Sequence, residues 1–462
     1  MHKFHNSILR EYDIRGIVGE TLLTADAKAV GRTFGSAIRR SGGARVCVGY
    51  DGRLSSPDME AALIEGLVSA GVDVTRVGRG PTPMLYFATI DGKADGGIMV
   101  TGSHNPPTHN GFKMMIGKKP FFGADIKKLG VMAADDDVET GKGTVTDGPA
   151  FARYLDRIML DFQGTRALTA VWDPGNGAGA EVVTQFVKRL PGKHTVLNGE
   201  IDGTFPAHHP DPTVPANLVQ LIDEVKKQKA DVGFAFDGDA DRIGVVDGKG
   251  RILWGDQIMQ ILAEDVLKNH PSAPIIADVK ASQALFDEVA RMGGQPIVWK
   301  TGHSLIKNKM AETKAPLAGE MSGHIFFADR YYGFDDAIYT AMRFLSIMAL
   351  DADFDLVRRY DRMPVFINTP ELRFPCTDER KFAVVDEVKV RLAKSGAKVS
   401  DIDGVRVTGK GGWWLLRASN TQAVLVARAE ADTEANLEGL KSELAAQLRE
   451  SGLDLPTESV GH

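Results

Sequence analysis

The chain has 462 residues, enough at roughly 100–200 residues per domain for three or four domains that each bury a core, so a peptide or a single small module is excluded. Apolar residues make up 43% and charged residues 25%, which argues against a mostly disordered, collagen-like or membrane-spanning chain. Lys and Arg total 55 against 61 Asp and Glu, a net charge of −6, so nothing draws the whole molecule to nucleic acid or an acidic membrane, and an anionic ligand must be held by local cations.

The first eleven residues are polar and charged where a secretory signal needs a long apolar core, so no export is expected. Apolar segments at 46–51, 169–173 and 274–278 read as strands ending in Asp51, Asp173 and Asp278 and leading into turns. Their regular recurrence hints at three related α/β domains, although a strand followed by Asp and a turn is also ordinary punctuation. A helix is expected to begin at Ser56-Pro57, as N-cap and first turn, and to stop near Gly71.

The strand at 97–100 runs into Thr101-Gly102-Ser103-His104-Asn105-Pro106-Pro107, placing Ser103 at a carboxyl end, where open α/β sheets bind ligands. Gly102 permits tight geometry and the prolines stiffen the exit, so Ser103 is expected to be presented rather than packed, with His104 able to orient or polarise a neighbour. A serine needs a base or an adjacent cation to become a nucleophile. Taken alone, the segment reads somewhat better as a polar turn whose Ser and Asn satisfy backbone groups.

Leu218, Leu221, Ile222 and Val225 form one helix face, and a strand at 232–236 follows. It leads into Asp237-Gly238-Asp239-Ala240-Asp241-Arg242, with a carboxylate at every second position. Like charges this close repel unless a cation binds or protons are taken up, and a hard divalent ion such as Mg²⁺ is the natural solution. A calcium EF-hand loop needs Gly and Glu where this chain has Arg242 and Gly248, so that reading fails; a solvated acidic turn stays open.

Glu320, Ser322 and His324 share one compact glycine-bearing loop, Gly319-Glu320-Met321-Ser322-Gly323-His324, suited to a hydroxyl-rich ligand but also ordinary as a turn. The apolar stretch 338–350 is interrupted by Arg343 and too short to span a membrane, so it reads as a buried helix. Beyond Met363-Pro364 the pattern changes: an apolar run at 366–374, a helix from about 379 to 395, strands at 413–416 and 423–427 and a final helix suggest a smaller α+β domain. Between its strands, Arg417-Ala418-Ser419-Asn420-Thr421 suits a phosphate, or is a plain hairpin turn. The expected domains are 1–148, 149–254, 255–366 and 367–462. Cys47 and Cys376 are too far apart in sequence to suggest a disulfide framework or a zinc site, which fits a reducing cytoplasm.

Together the serine, acidic, Glu-Met-Ser-Gly-His and Arg-Ala-Ser-Asn-Thr segments, in this order and over nearly the whole length, resemble the α-D-phosphohexomutases, specifically their bacterial phosphomannomutase/phosphoglucomutase branch. The resemblance implies three related α/β domains with mixed or parallel sheets and a smaller C-terminal α+β domain around a central cleft, each supplying one loop. It implies that Ser103 carries a phosphoryl group, that Mg²⁺ is held by Asp237, Asp239, Asp241 and that phosphoserine, and that Glu320 and Ser322 read sugar hydroxyls with His324 beside them. Arg417, Ser419, Asn420 and Thr421 would grip the phosphate that is not reacting.

Tyr12, Arg15, Lys113, Arg242, Lys280, Gly302 and His303 match the family more loosely as cleft residues; Arg15, Lys113 and His303, with His104, are candidates for charge stabilisation and proton transfer. The implied reaction interconverts hexose 6-phosphate and hexose 1-phosphate, of mannose, glucose or both, through a hexose 1,6-bisphosphate that also serves as primer. A metal-dependent sugar phosphatase using the same serine, a phosphoglucosamine mutase and a non-catalytic binding module are the alternatives. Expected partners are small sugar phosphates, with neither nucleic acid nor membrane, for a cytoplasmic monomer or weak homodimer.

Overall fold

The computed structural model describes residues 1–420 and 422–456, which form four sheets. In the first, Arg45–Tyr50 lies between Asp73–Arg79 and Gly96–Val100, all parallel, and the antiparallel His109–Ile116 joins Gly96–Val100 to Ile14–Ile17. The second centres on Leu168–Asp173 and Val232–Phe236, which are parallel, with Ile243–Asp247 returning antiparallel. The third repeats this with Pro274–Asp278, Leu317–Gly319 and the antiparallel Ile325–Phe327. The central parallel strands are buried on both faces, which is why they read as continuous apolar runs such as Val-Gly-Phe-Ala-Phe.

The repeat seen in the three strand-ending aspartates is therefore a repeat of architecture, and it places the chemistry. In each α/β sheet the candidate loop connects the last parallel strand to its antiparallel partner: 101–108, 237–242 and 320–324. The neighbouring central strand ends in the aspartate, and two of the three aspartates hold the adjacent loop. Asp51 Oδ2 accepts from the Gly102 amide at 3.1 Å, and Asp278 Oδ1 from the Met321 amide at 3.1 Å.

The fourth sheet is antiparallel, with Gly412–Ala418 and Val424–Ala431 at its centre and helices Asp378–Ser395 and Glu434–Glu450 packed on it. The run expected at 366–374 is two short strands, Ile367–Asn368 and Leu372–Pro375, separated around Pro370, whose missing N–H cannot continue a ladder. Strands Lys398–Ser400 and Val405–Gly409 escaped the sequence reading. The second helix of the first domain starts at Ser56 with Ser55 as N-cap, because the Ser56 hydroxyl is turned to Asp51.

The first and fourth domains have cores of their own, around Phe34, Leu63 and Ile98 and around Trp414, Leu425 and Leu440. The second and third share one core, in which Trp172, Phe234, Leu262 and Phe344 all take part and which reaches into the first domain at Met84, Phe87 and Met99. The shared element is the helix Ala337–Leu350, whose buried Arg343 pairs with Asp329 at 2.8 Å and Asp265 at 3.0 Å. No described helix is long and apolar enough to cross a membrane. Both cysteines are free and buried.

Candidate active site

The serine loop is clamped from below by Arg53, a residue the sequence reading did not single out. Its fully buried guanidinium donates to the carbonyls of Ser103 at 2.8 Å, Asn105 at 2.6 Å, Pro106 at 2.5 Å and His109 at 3.0 Å. Asp51 accepts from its Nε at 3.2 Å. The only signal was an arginine two positions after a strand-ending aspartate, which says nothing about four carbonyls fifty residues away. Ser103 itself adopts φ 49°, a left-handed backbone that costs an L-residue about 1–2 kcal/mol and turns the side chain inward. It is consequently 2% exposed, so the expectation of a presented serine is corrected: the hydroxyl is enclosed by the acidic loop.

Ser103 Oγ lies 3.1 Å from Asp237 Oδ2 and 3.3 Å from His104 Nδ1. Arg15 donates to the Asn105 side chain of the same loop at 2.8 Å and pairs with Asp13. Lys113, one strand over, is buried between Asp239, at 2.7 Å, and Asp241. Arg242 reaches back to Asp237 at 3.3 Å and to Asp211 at 3.5 Å. The three acids are fully buried against these cations. Burial, then repulsion by Asp241 and Asp239, pushes the Asp237 carboxyl well above the usual range; burial acts the same way on Asp239, but Lys113 outweighs it and holds that carboxyl below.

Asp237, Asp239 and Asp241 each bring an oxygen within 4.8 Å of the others, and Asp239 Oδ1 is buried with no hydrogen-bond partner. An all-carboxylate set beside a serine that can bear phosphate suits a hard cation such as Mg²⁺, so these residues fit the implied metal.

The acidic loop and the sugar loop are joined by backbone: the Ile243 amide donates to the Gly323 carbonyl at 3.1 Å, and Arg242 bridges to His324. Within the latter loop Glu320 is buried, accepting from the Gly302 amide at 2.6 Å, while Ser322 sits half-buried in the turn. Tyr12 lies against Gly302 and closes a three-domain junction. Its hydroxyl donates to the Thr301 carbonyl at 3.0 Å and accepts from Asn420 Nδ2 at 2.8 Å.

His303 and His324 stack with ring centroids 5.5 Å apart beside the buried Asp335. Burial, helped by Lys307, holds the His303 pKa well below the usual histidine value; burial acts the same way on His324, but Asp241 and Asp335 outweigh it and raise its pKa. Asp335 also escaped the sequence reading, in which an Asp-Asp pair before an apolar helix is an unremarkable cap.

Lys280 and Arg417 belong to the seam between the third and fourth domains. Lys280 Nζ is 3.0 Å from Glu371 Oε2, and Arg417 Nε is 2.9 Å from Asp403, which in turn accepts from the Thr301 amide at 3.0 Å. Arg417 is on the strand Gly412–Ala418 rather than in the turn expected for it, so only Ser419 and Asn420 of that motif are described turn residues; Thr421 lies outside the described residues.

Four domain families match the chain in order: phosphoglucomutase/phosphomannomutase alpha/beta/alpha domains I, II and III over residues 6–129, 151–250 and 254–365, and the C-terminal domain over 371–447. A phosphomannomutase/phosphoglucomutase of Pseudomonas aeruginosa is 44% identical over 452 residues, 97% of each chain, and a phosphoglucomutase of Neisseria gonorrhoeae is 41% identical over 450 residues, 96% of this chain and 97% of that one. A crystal structure of a phosphoglucomutase/phosphomannomutase family protein from Burkholderia thailandensis superposes with a TM-score of 0.92 at 43% identity, covering 98% and 99% of the two chains. A buried serine beside a carboxylate triad and clustered cations is suited to phosphoryl transfer, and the chain belongs to the phosphoglucomutase/phosphomannomutase family.

Proposed function

We propose that the protein interconverts hexose 6-phosphate and hexose 1-phosphate, of mannose, glucose or both, with Ser103 as the phosphoryl carrier. The observation that carries this is the buried Ser103 hydroxyl 3.1 Å from Asp237, where the serine loop meets the acidic loop. In the forward half-reaction the phosphoryl group leaves Ser103 Oγ for a sugar hydroxyl, whose proton is lost, giving a hexose 1,6-bisphosphate. The intermediate turns end for end, and its other phosphoryl group returns to Ser103 while the released sugar oxygen regains a proton. Traces of the same bisphosphate would prime an unphosphorylated enzyme.

Such a transfer needs alignment and neutralisation of spreading charge more than covalent machinery. Asp237, Asp239, Asp241 and the phosphoserine would hold Mg²⁺, which supplies part of that neutralisation when bound. Lys113, Arg15 and Arg242 supply the rest, with His104 beside the serine. His303, kept neutral by burial, is a proton acceptor. Glu320 and Ser322, with His324, would read sugar hydroxyls; Arg417, Ser419, Asn420 and Thr421, with Lys280, Gly302 and Tyr12 lining the cleft, would hold the distal phosphate. Closure of the fourth domain through Tyr12 and Asn420 excludes the water that would turn a mutase into a phosphatase.

We take the domains as 1–148, 149–254, 255–366 and 367–462, in a cytoplasmic enzyme, monomeric or weakly dimeric. A coupled assay tests the reading, comparing mannose 1-phosphate, glucose 1-phosphate and glucosamine 1-phosphate with and without bisphosphate primer. Isomer formation from mannose or glucose that the primer stimulates is expected; release of inorganic phosphate without isomerisation would overturn it.

A further inference from the structure

Behind the sugar loop, four side chains from separate segments carry unpaired buried atoms, and ligand atoms of three of these residues, Asp241, His324 and Asp335, lie within 4.8 Å of one another. The four are Asp241 from the acidic loop, His303 from the start of the helix His303–Thr313, His324 from the end of the sugar loop and Asp335 from the segment before Ala337–Leu350. His324 Nδ1 is 3.1 Å from Asp335 Oδ2 and 3.6 Å from Asp241 Oδ1, and His303 Nδ1 is 3.8 Å from Asp335 Oδ2. All four atoms are shut off from solvent, and none has a hydrogen bond of acceptable geometry. Leaving one such atom unpaired costs about 1–3 kcal/mol, so a cluster of four is a strong departure from ordinary packing.

The remaining oxygens are committed elsewhere. Asp335 Oδ1 accepts from Lys307 Nζ at 3.0 Å, and Asp241 Oδ2 accepts from Lys113. Each carboxylate is thereby fixed with its other oxygen turned to the imidazoles, as the outer shell of a metal centre orients its ligands. The 3.1 and 3.6 Å from His324 to the two carboxylates bracket the roughly 3.3 Å that separates ligands of a tetrahedral ion with bonds of about 2.0–2.1 Å, three protein ligands leaving its fourth position open.

The donor set differs in kind from the neighbouring one. Asp237, Asp239 and Asp241 offer oxygen alone, which selects Mg²⁺; an imidazole with two carboxylates suits a borderline ion such as Zn²⁺ or Co²⁺. We propose that Asp241, His324 and Asp335, with His303 beside them, form a second metal site, specific for Zn²⁺-like ions and sharing only Asp241 with the Mg²⁺ group. Binding there is independent of the mutase reading. If that reading holds, occupation withdraws His324 from the substrate, so Zn²⁺ inhibits in a way that excess Mg²⁺ does not relieve.

The test is equilibrium dialysis of the untagged protein in saturating Mg²⁺ against Zn²⁺, repeated with Co²⁺ and read by its visible absorption. One Zn²⁺ per chain is expected to remain, with the Co²⁺ form showing the intense band of a four-coordinate, nitrogen-ligated ion. Asp335→Asn and His324→Gln are each expected to weaken binding at least tenfold, whereas Asp237→Asn, which removes no ligand of this group, retains it. Circular dichroism identifies any variant that fails to fold, and having two variants keeps the test open. Absence of bound Zn²⁺ under saturating Mg²⁺, or Zn²⁺ lost in Asp237→Asn and kept in the other two, would overturn the proposal.

Discussion

Ser103 Oγ and Asp237 Oδ2 are 3.1 Å apart although 134 positions separate them in the chain. Two loops, each at the carboxyl end of its own sheet, meet face to face, and the carboxylate that neighbours the hydroxyl also neighbours Arg242. If Ser103 is the phosphoryl carrier, Ser103→Ala should lower turnover by roughly 10⁴-fold or more, since nothing else within reach replaces the nucleophile. The backbone is undisturbed, so the thermal transition should stay within a few degrees. A variant with normal turnover in the coupled assay would remove the carrier role.

Lys113 balances two buried carboxylates, and removing it leaves them facing each other. Lys113→Met should cost about 3–5 kcal/mol in metal-free buffer, the penalty of an uncompensated buried charge. Saturating Mg²⁺ should restore more stability to this variant than to the parent, for which an ion at a hundredfold its Kd adds about 2.7 kcal/mol. Differential scanning calorimetry with and without Mg²⁺ measures both, and equal Mg²⁺ shifts would contradict the shared site.

A Cβ placed on Gly302 would stand 2.5 Å from the Tyr12 hydroxyl, and φ at this position is +132°. Gly302→Ala should therefore displace Tyr12, costing about 1–3 kcal/mol by overpacking and lowering kcat/KM roughly a hundredfold through misplaced cleft residues. Tyr12→Phe keeps the ring and loses the bonds to Thr301 and Asn420, so it should raise KM more than it lowers kcat.

Arg53 holds the serine loop from below through four carbonyls. Arg53→Lys keeps the charge but cannot span four carbonyls, so it should mobilise residues 101–109 while leaving the sheet intact. Hydrogen exchange should accelerate in that loop and kcat should fall at least tenfold; unchanged protection of the loop amides would show that Arg53 is dispensable.

Glu371 carries a pH dependence with a definite sign. Burial alone would raise its pKa, but Lys280 and Arg373 outweigh that and hold the carboxyl below its ordinary value. The pair therefore stabilises the seam between third and fourth domains above the unfolded value of about 4.3, and that stability is lost as pH falls through the depressed folded value. Unfolding of the fourth domain should shift to lower temperature on acidification below about pH 4.5. Glu371→Gln should flatten that dependence.

Much of the architecture was legible because its signals are local. Strands such as Val232–Phe236 are apolar throughout since both faces are buried, and the four chemical motifs stand out since phosphate, metal and hydroxyl chemistry each need particular donors within a few residues. Reading Ser103 as exposed failed because a carboxyl-end loop is open only until another domain covers it. Arg417 was assigned to a turn because strand ends are set by ladder partners, here Val426, which the local pattern does not contain.

The linear order of residues thus determined the domain grammar, the loop chemistry and the family resemblance, because these depend on short-range periodicity and on functional groups packed into short motifs. Tertiary structure alone decided that Arg53 clamps the serine, that Tyr12 meets Asn420, and that Asp335 stands between two histidines. Those contacts join segments tens to hundreds of positions apart. Their existence depends on how whole sheets are set against one another, a relation that no window of sequence encodes.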